Sequence, residues 1–412
     1  MFSMKTIGLV LVALYAIFNT LNILYLYQPV SSVNMLVGAA FVYLLIRLLA
    51  MFSDRRSITQ NELFAILVLF LLCCTVLAQN IWHEAHIDEN GVNSLSNITT
   101  ITKVSVMWFF VGGACAQATI KESKALALLL SIGVAGAMVG AIDETLTVPF
   151  REIAELSGVE KLSHLALEKY LILLLVLAYA FSSQLRFLTV ALGVLALFLN
   201  GGRTALFVFL FTFILLNLRG NLFRNVIAFS LLSLGLVVAF FIGVNNGFID
   251  LQSKVIVDIL FLEGLESDGS FQGRVTLLKD SLPLLADQFW IGNYALVSSQ
   301  QGTFAGYAHN LLSAWQFYGF FVFCALVISL IYCLRRVVYS LKYSSEPIAV
   351  FGSFLFIYVL ISVILSKNVA WHLLWFAFGF WFLKAPLYIS KAQTSRRRKR
   401  RKKVSSFNEI TT

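Results

Sequence analysis

The chain has 412 residues, 59% of them hydrophobic and 13% charged, with mean hydropathy +0.84 and formal net charge +10. Those values exclude a water-soluble globular domain, which is about half apolar and a quarter charged. They supply many times over the roughly 20 apolar residues that one helical crossing of an about 30 Å hydrocarbon core requires.

Twelve apolar segments are predicted as helices, at about 6–27, 31–51, 63–81, 104–120, 125–142, 169–183, 187–200, 204–218, 225–244, 310–333, 348–366 and 371–388. The opening "MFSMK" and its apolar run lack a small-residue cleavage site, so the first segment reads as a retained helix. Cys73, Cys74, Cys115, Cys324 and Cys333 all fall in apolar runs without disulfide or zinc spacing, which points to packing. Gly136 to Gly140, "GAMVG", fits the small-residue pattern of close helix packing.

Lysine and arginine orient the segments. With the N-terminus inside, 22 of the 31 basic residues fall on the inner side and 16 of the 21 acidic residues on the outer side. Every connection obeys that one alternation, which predicts both termini inside. The tail 389–412, with "SRRRKRRKK", then anchors the last helix and meets anionic lipid headgroups; nucleic acid is not an expected partner.

Three outer connections are long: about 82–103, 143–168 and 245–309. The histidines (His83, His86, His164, His309 and His372) all lie on this side or at its edge. In "WHEAHIDEN", His83, Glu84, His86 and Asp88 lack the spacing of a helical metal motif, so a solvated polar loop is the better reading and no metal is expected. The "NIT" at Asn97 matches a glycosylation acceptor, a match common by chance. Ile153, Leu156, Val159, Leu162 and Leu165 recur at helical spacing after Pro149, the pattern of an interfacial amphipathic helix.

"ALFLNGGRTALFVFLF" sets Arg203 between two apolar runs, where Gly201 and Gly202 permit an outer hairpin. An arginine deep in hydrocarbon costs about 2.5–3.5 kcal/mol on insertion scales, so it belongs at an interface or against an anion. In the longest loop, Arg274 opens an amphipathic run (Val275, Leu278, Leu282, Leu285), and "WIGNY" marks a turn at Gly292. His309 and Asn310 come just before the tenth segment, where a neutral imidazole suits accepting a proton from an alcohol. Taken singly, an interfacial arginine snorkels and an interfacial histidine caps; together Arg203, Arg274 and His309 share one membrane face.

In these residues the chain resembles the O-antigen ligase and O-antigen polymerase superfamily of bacterial envelope glycosyltransferases. The resemblance rests on "GGRTA" at the outer start of a mid-chain helix, a long outer loop with "GR" and "WIG", and "HN" before a helix containing "YG", Tyr318 and Gly319. It covers about 187–335 by motif and the remainder by topology alone. Many relatives have serine where this chain has Gly202.

The resemblance implies an all-α, GT-C-like fold: a polytopic domain over 1–388, about twelve transmembrane helices, and a large catalytic loop at 245–309 carrying short amphipathic helices. It implies a bacterial inner membrane location with the site facing the periplasm. Arg203 and Arg274 would bind the diphosphate of an undecaprenyl-linked oligosaccharide, and His309 would activate the acceptor hydroxyl. Asn310, Tyr307 and Gln272 are weaker supporting candidates. No cofactor or metal is implied, and the anomeric carbon would be inverted. A polymerase acting on repeat units is the first reading, and a ligase acting on lipid A-core the second. A chain-length regulator is a further candidate partner. A transporter or lipid flippase is the alternative of another class; charges confined to segment ends and the absence of an internal repeat speak against it.

Overall fold

The computed structural model describes residues 4–26, 60–87, 93–118, 121–142, 148, 164–217, 269–287, 289–294 and 310–383. The predicted segments 31–51 and 225–244, the amphipathic stretch 153–163 and the tail lie outside the described residues. The other ten segments all correspond to helices. In chain order these are α1 (Met4–Leu21, continued by a π-turn Asn22–Leu26), α2 (Gln60–Trp82), α3 (Ser94–Ala116), α4 (Lys124–Val139) and α5 (His164–Phe181). There follow α6 (Arg186–Leu199), α7 (Arg203–Asn217), α8 (Gly269–Asp287), α9 (Ser313–Tyr343), α10 (Pro347–Leu365) and α11 (His372–Leu383). No strand occurs among the described residues, where an isolated bridge pairs Ile87 with Asn93.

Five helices are long and apolar enough to cross a membrane: Gly8–Tyr25, Glu62–Trp82, Ser94–Ala116, Ser313–Tyr343 and Pro347–Leu365. Large apolar side chains also face outward, including Phe70 (65% exposed), Leu129 (68%) and Ile132 (57%). Water would penalise such a surface and hydrocarbon would not. The chain is a helical membrane protein.

Two boundaries differ from hydropathy, each for a local reason. α3 begins at Ser94 rather than near 104 because Asn93 caps it, its Oδ1 accepting from the Leu95 and Ser96 amides. α5 begins at His164 rather than 169, which draws Glu168 into a helix.

α5 runs through the middle of the bundle against α1, α4, α6 and α10. From Leu167 to Ala180 all its side chains except Lys169 are buried, as expected of a helix apolar on every face. α3 and α11 approach closely through small residues: a Cβ on Gly112 would overlap the Phe376 carbonyl, and one on Gly379 the Phe109 carbonyl. In "GAMVG" a Cβ on Gly136 would meet nothing among the described residues, but one on Gly140 would fall 2.7 Å from the Tyr25 hydroxyl, which donates to Ala137 O (2.8 Å).

Connections sort into two ends. At one, the α3–α4 connection meets both α5 and α11: the Ser123 amide donates to Phe181 O (2.7 Å) and Gln117 Nε2 to Leu383 O (3.3 Å). At the other, the Val148 amide donates to Leu199 O (3.1 Å) and the Val369 amide to Ser313 Oγ (2.8 Å). The second gathers the C-terminal ends of α2, α6 and α10 with the starts of α3, α5, α7 and α9. It is the end that lysine and arginine placement reads as outer.

Candidate functional site

That gathered end contains Arg203 and Asn310. Gly201 adopts φ +72°, a left-handed conformation that glycine takes without steric cost, and turns α6 back into α7. Arg203 is the first residue of α7. The N-terminal end of a helix carries a partial positive charge and amides without intrahelical partners, which suits an anion. Arg274 lies in the second turn of α8, so the amphipathic run is helical as its spacing predicts. Within that run Leu285 is buried and Leu282 exposed. The side chains of Arg203 and Arg274, and the whole of Tyr307 and His309, lie outside the described residues.

Asn310 closes an Asx turn just before α9: its Oδ1 accepts from the Leu312 amide (2.9 Å), and its carbonyl from Ser313 Oγ (2.7 Å). Gln272 is exposed on α8.

The turn predicted at Gly292 is present, with φ +72°, and it docks on "YG" in α9. α9 breaks at Gly319 (φ +82°, ψ 177°), a conformation open essentially to glycine alone. The break strands backbone groups that must find partners in a buried setting. The turn supplies them: the Asn293 amide donates to Gln316 O (2.9 Å) and the Phe320 amide to Phe289 O (2.9 Å). Trp315 Nε1 also donates to Phe289 O (3.0 Å). From α2, Gln79 Nε2 donates to both Ile291 O and Phe317 O, and His83 Nε2 lies 3.2 Å from Gly292 O. Asn97 Nδ2 donates to Tyr294 OH (2.8 Å), which gives the "NIT" asparagine a structural use. Outside this clasp Trp290 (60% exposed) stacks on Phe321 (55%), an aromatic pair of the kind found at membrane interfaces. Two short motifs are thus one structural unit.

Hydropathy missed a second polar cluster. Glu168 is 1% exposed and accepts from Tyr358 OH of α10 (2.8 Å) at Oε1 and from Lys367 Nζ (2.6 Å) at Oε2. Beside it, Lys169 Nζ lies 3.4 Å from His372 Nδ1 and 4.9 Å from the Tyr170 ring centre. His372 in turn stacks on Trp108 of α3. Lys169 is twelve residues from Phe181 and His372 eleven from Leu383, both helix ends being fastened to the α3–α4 connection. Lys169 is the sixth residue of α5, His372 the first of α11 and Lys367 the second after α10, so the cluster lies at the bundle end that also holds Ser313. All four ionisable residues stand at or beside the ends of the predicted segments 169–183, 348–366 and 371–388, where the sequence reading expects charges. The connection 366–371 carries Lys367 to Glu168 and the Val369 amide to Ser313, three residues beyond Asn310.

No protein-family model matches the sequence, and no curated protein matches it, so its own residues and their geometry carry the functional reading.

Proposed function

We propose that this chain is a glycosyltransferase of the bacterial inner membrane, an O-antigen polymerase type of enzyme. It crosses the membrane about twelve times in a GT-C-like arrangement with both termini cytoplasmic. It transfers an oligosaccharide from undecaprenyl diphosphate to a sugar hydroxyl of an acceptor repeat unit on the periplasmic side. The observation that carries the reading is the glycine hairpin that makes Arg203 the first residue of α7, at the bundle end that also holds the Gly292–Gly319 clasp. Ligation to lipid A-core uses the same chemistry with another acceptor and is the nearest alternative.

In this reading Arg203 and Arg274 face the diphosphate, a double anion whose oxygens match the planar guanidinium fork. Negative charge grows on the leaving diphosphate as the glycosidic C–O bond breaks. The arginines therefore stabilise the transition state more than the ground state, which is the requirement for acceleration. His309 accepts the proton of the attacking hydroxyl.

Arg203→Ala, Arg274→Ala and His309→Ala are each expected to abolish polymer while leaving insertion and abundance normal. Lysine in place of either arginine is expected to restore only part of the activity. The check is the banding of surface polysaccharide in cells carrying each variant. Loss of a polymerase leaves a single repeat unit on lipid A; loss of a ligase leaves polymer on undecaprenyl diphosphate. Normal polymer length and yield with His309→Ala would remove the base assignment.

A second reading has one specific observation in its favour. Buried ionisable residues of a membrane protein mark substrate or ion pathways by default. Glu168 and Lys367 are buried, with Lys169 and His372 half-buried beside them, all at helix starts or in a connection. A transporter or flippase is therefore tested alongside: proteoliposomes holding the purified chain would accumulate or flip substrate without any transfer product.

A further inference from the structure

Lys169 and His372, half-buried beside the buried Glu168–Lys367 pair, have donors and positive charge without a matching acceptor among the described residues. Glu168 is satisfied by Tyr358 and Lys367, and its one negative charge is cancelled by Lys367. Lys169 has three N–H donors, of which the His372 ring nitrogen at 3.4 Å takes one. With Nδ1 accepting, the other ring nitrogen of His372 carries a proton and is a further donor. One residue earlier, the indole Nε1 of Trp371 is buried without a hydrogen-bond partner. No carboxylate among the described residues pairs with Lys169. An ammonium group inside a helical bundle without a counter-ion is costly, and the walls around it are the rings of Tyr170, Tyr15 and Trp108.

We propose that Lys169 and His372 form a binding site for the phosphate group of a lipid. A multi-oxygen anion fits a donor-rich, acceptor-poor site of net positive charge. The aromatic walls favour a phosphate that arrives on an apolar tail over one that arrives free in water. Two lipids present that chemistry: an isoprenoid diphosphate and an anionic phospholipid. The first identification rests on the glycosyltransferase reading; the site itself does not.

The test uses the full-length chain in phosphatidylcholine nanodiscs, titrated in separate arms with geranylgeranyl diphosphate, phosphatidylglycerol and uncharged geranylgeraniol. Binding is read as ligand-dependent thermal stabilisation. Lys169→Met is expected to weaken binding of the recognised phosphate lipid about tenfold or more, the scale of a charge-assisted hydrogen bond. Lys169→Arg should retain most of it, and geranylgeraniol should not distinguish the variants. His372→Gln serves as a second variant, with a smaller expected loss. The unliganded melting temperature of Lys169→Met should equal or exceed that of the wild type, because an uncompensated cation has been removed. Wild-type binding of the diphosphate that Lys169→Met leaves unchanged, with phosphatidylglycerol also unaffected, would overturn the site and leave the functional reading intact. Binding of phosphatidylglycerol alone, lost in Lys169→Met, would support the site and count against the functional reading. Failure of the wild type to bind either phosphate lipid would overturn the site.

Discussion

Lys367→Met is expected to destabilise the protein by about 3–5 kcal/mol, because it leaves the Glu168 carboxylate buried with only the Tyr358 hydroxyl against it. Desolvation of the pair is already costly; what holds the charges there is their 2.6 Å contact and the second oxygen's bond to Tyr358. Removing one partner keeps the cost and discards the compensation. Glu168→Gln should be costly for the mirror reason, stranding the ammonium of Lys367 over the Trp371 ring. The double variant should lose much less than the sum of the two, since neither charge then remains. Thermal unfolding in one detergent for all four proteins gives the cycle. Additive losses would mean that the two side chains do not depend on each other. The consequence reaches the site, because the 366–371 connection that Lys367 fastens also donates from Val369 to Ser313 at the head of α9.

Gly319→Ala is expected to separate the 289–294 turn from α9. A Cβ at this φ of +82° would overlap the carbonyl oxygen of Trp290, and both neighbours in the overlap are backbone, which cannot swing aside. The unfavourable backbone conformation alone costs about 1–3 kcal/mol in a non-glycine residue. The Asn293–Gln316 and Phe320–Phe289 hydrogen bonds would be lost as well, leaving the break in α9 unpaired. Gly292→Ala meets the same junction from the other side, its Cβ falling 2.5 Å from the Gly319 nitrogen. Amide exchange at Asn293 and Phe320 should accelerate strongly in either variant, and transfer activity should fall with it. Unchanged protection at both amides would show that the clasp does not hold the turn. The clasp lies in the chain between Arg274 and α9, so it fixes where the loop's two functional ends begin and finish.

The helical character of the chain, the hairpin at Gly201, the amphipathic helix after Arg274 and the turn at Gly292 were all legible from local sequence. Each depends on neighbours a few residues away: glycine in a turn, leucines at helical spacing. That Gly292 meets Gly319 was not legible. The two glycines are 27 residues apart in the chain, and either would look the same as an isolated turn residue. The Glu168 cluster was hidden for another reason. Hydropathy ends a span where charges begin, so Glu168 was assigned to the loop 143–168 and Lys169 to the first position of the next segment, although the helix had already started at His164. Their partners come from the connection after α10 and the start of α11, about 200 residues later. A signal was present all the same, since Glu168 and Lys169 stand directly before twelve residues with no charge at all. The start of α3 was legible in principle from Asn93, whose side chain caps it. Of the three residues proposed for chemistry, Arg203 has described backbone at the bundle end that holds Asn310 and Arg274 in α8, while His309 lies outside the described residues.

The central claim is glycosyl transfer from a lipid diphosphate, and one reconstitution tests it most directly. The purified chain is placed in proteoliposomes with undecaprenyl-diphosphate-linked repeat unit as donor and acceptor, without added metal or nucleotide sugar. Chain-extended glycan and released undecaprenyl diphosphate are then measured together. Equal molar appearance of new glycosidic bonds and free undecaprenyl diphosphate, absent with Arg203→Ala, is the result the account predicts. Movement of the lipid-linked glycan across the bilayer with no new bond formed would contradict it.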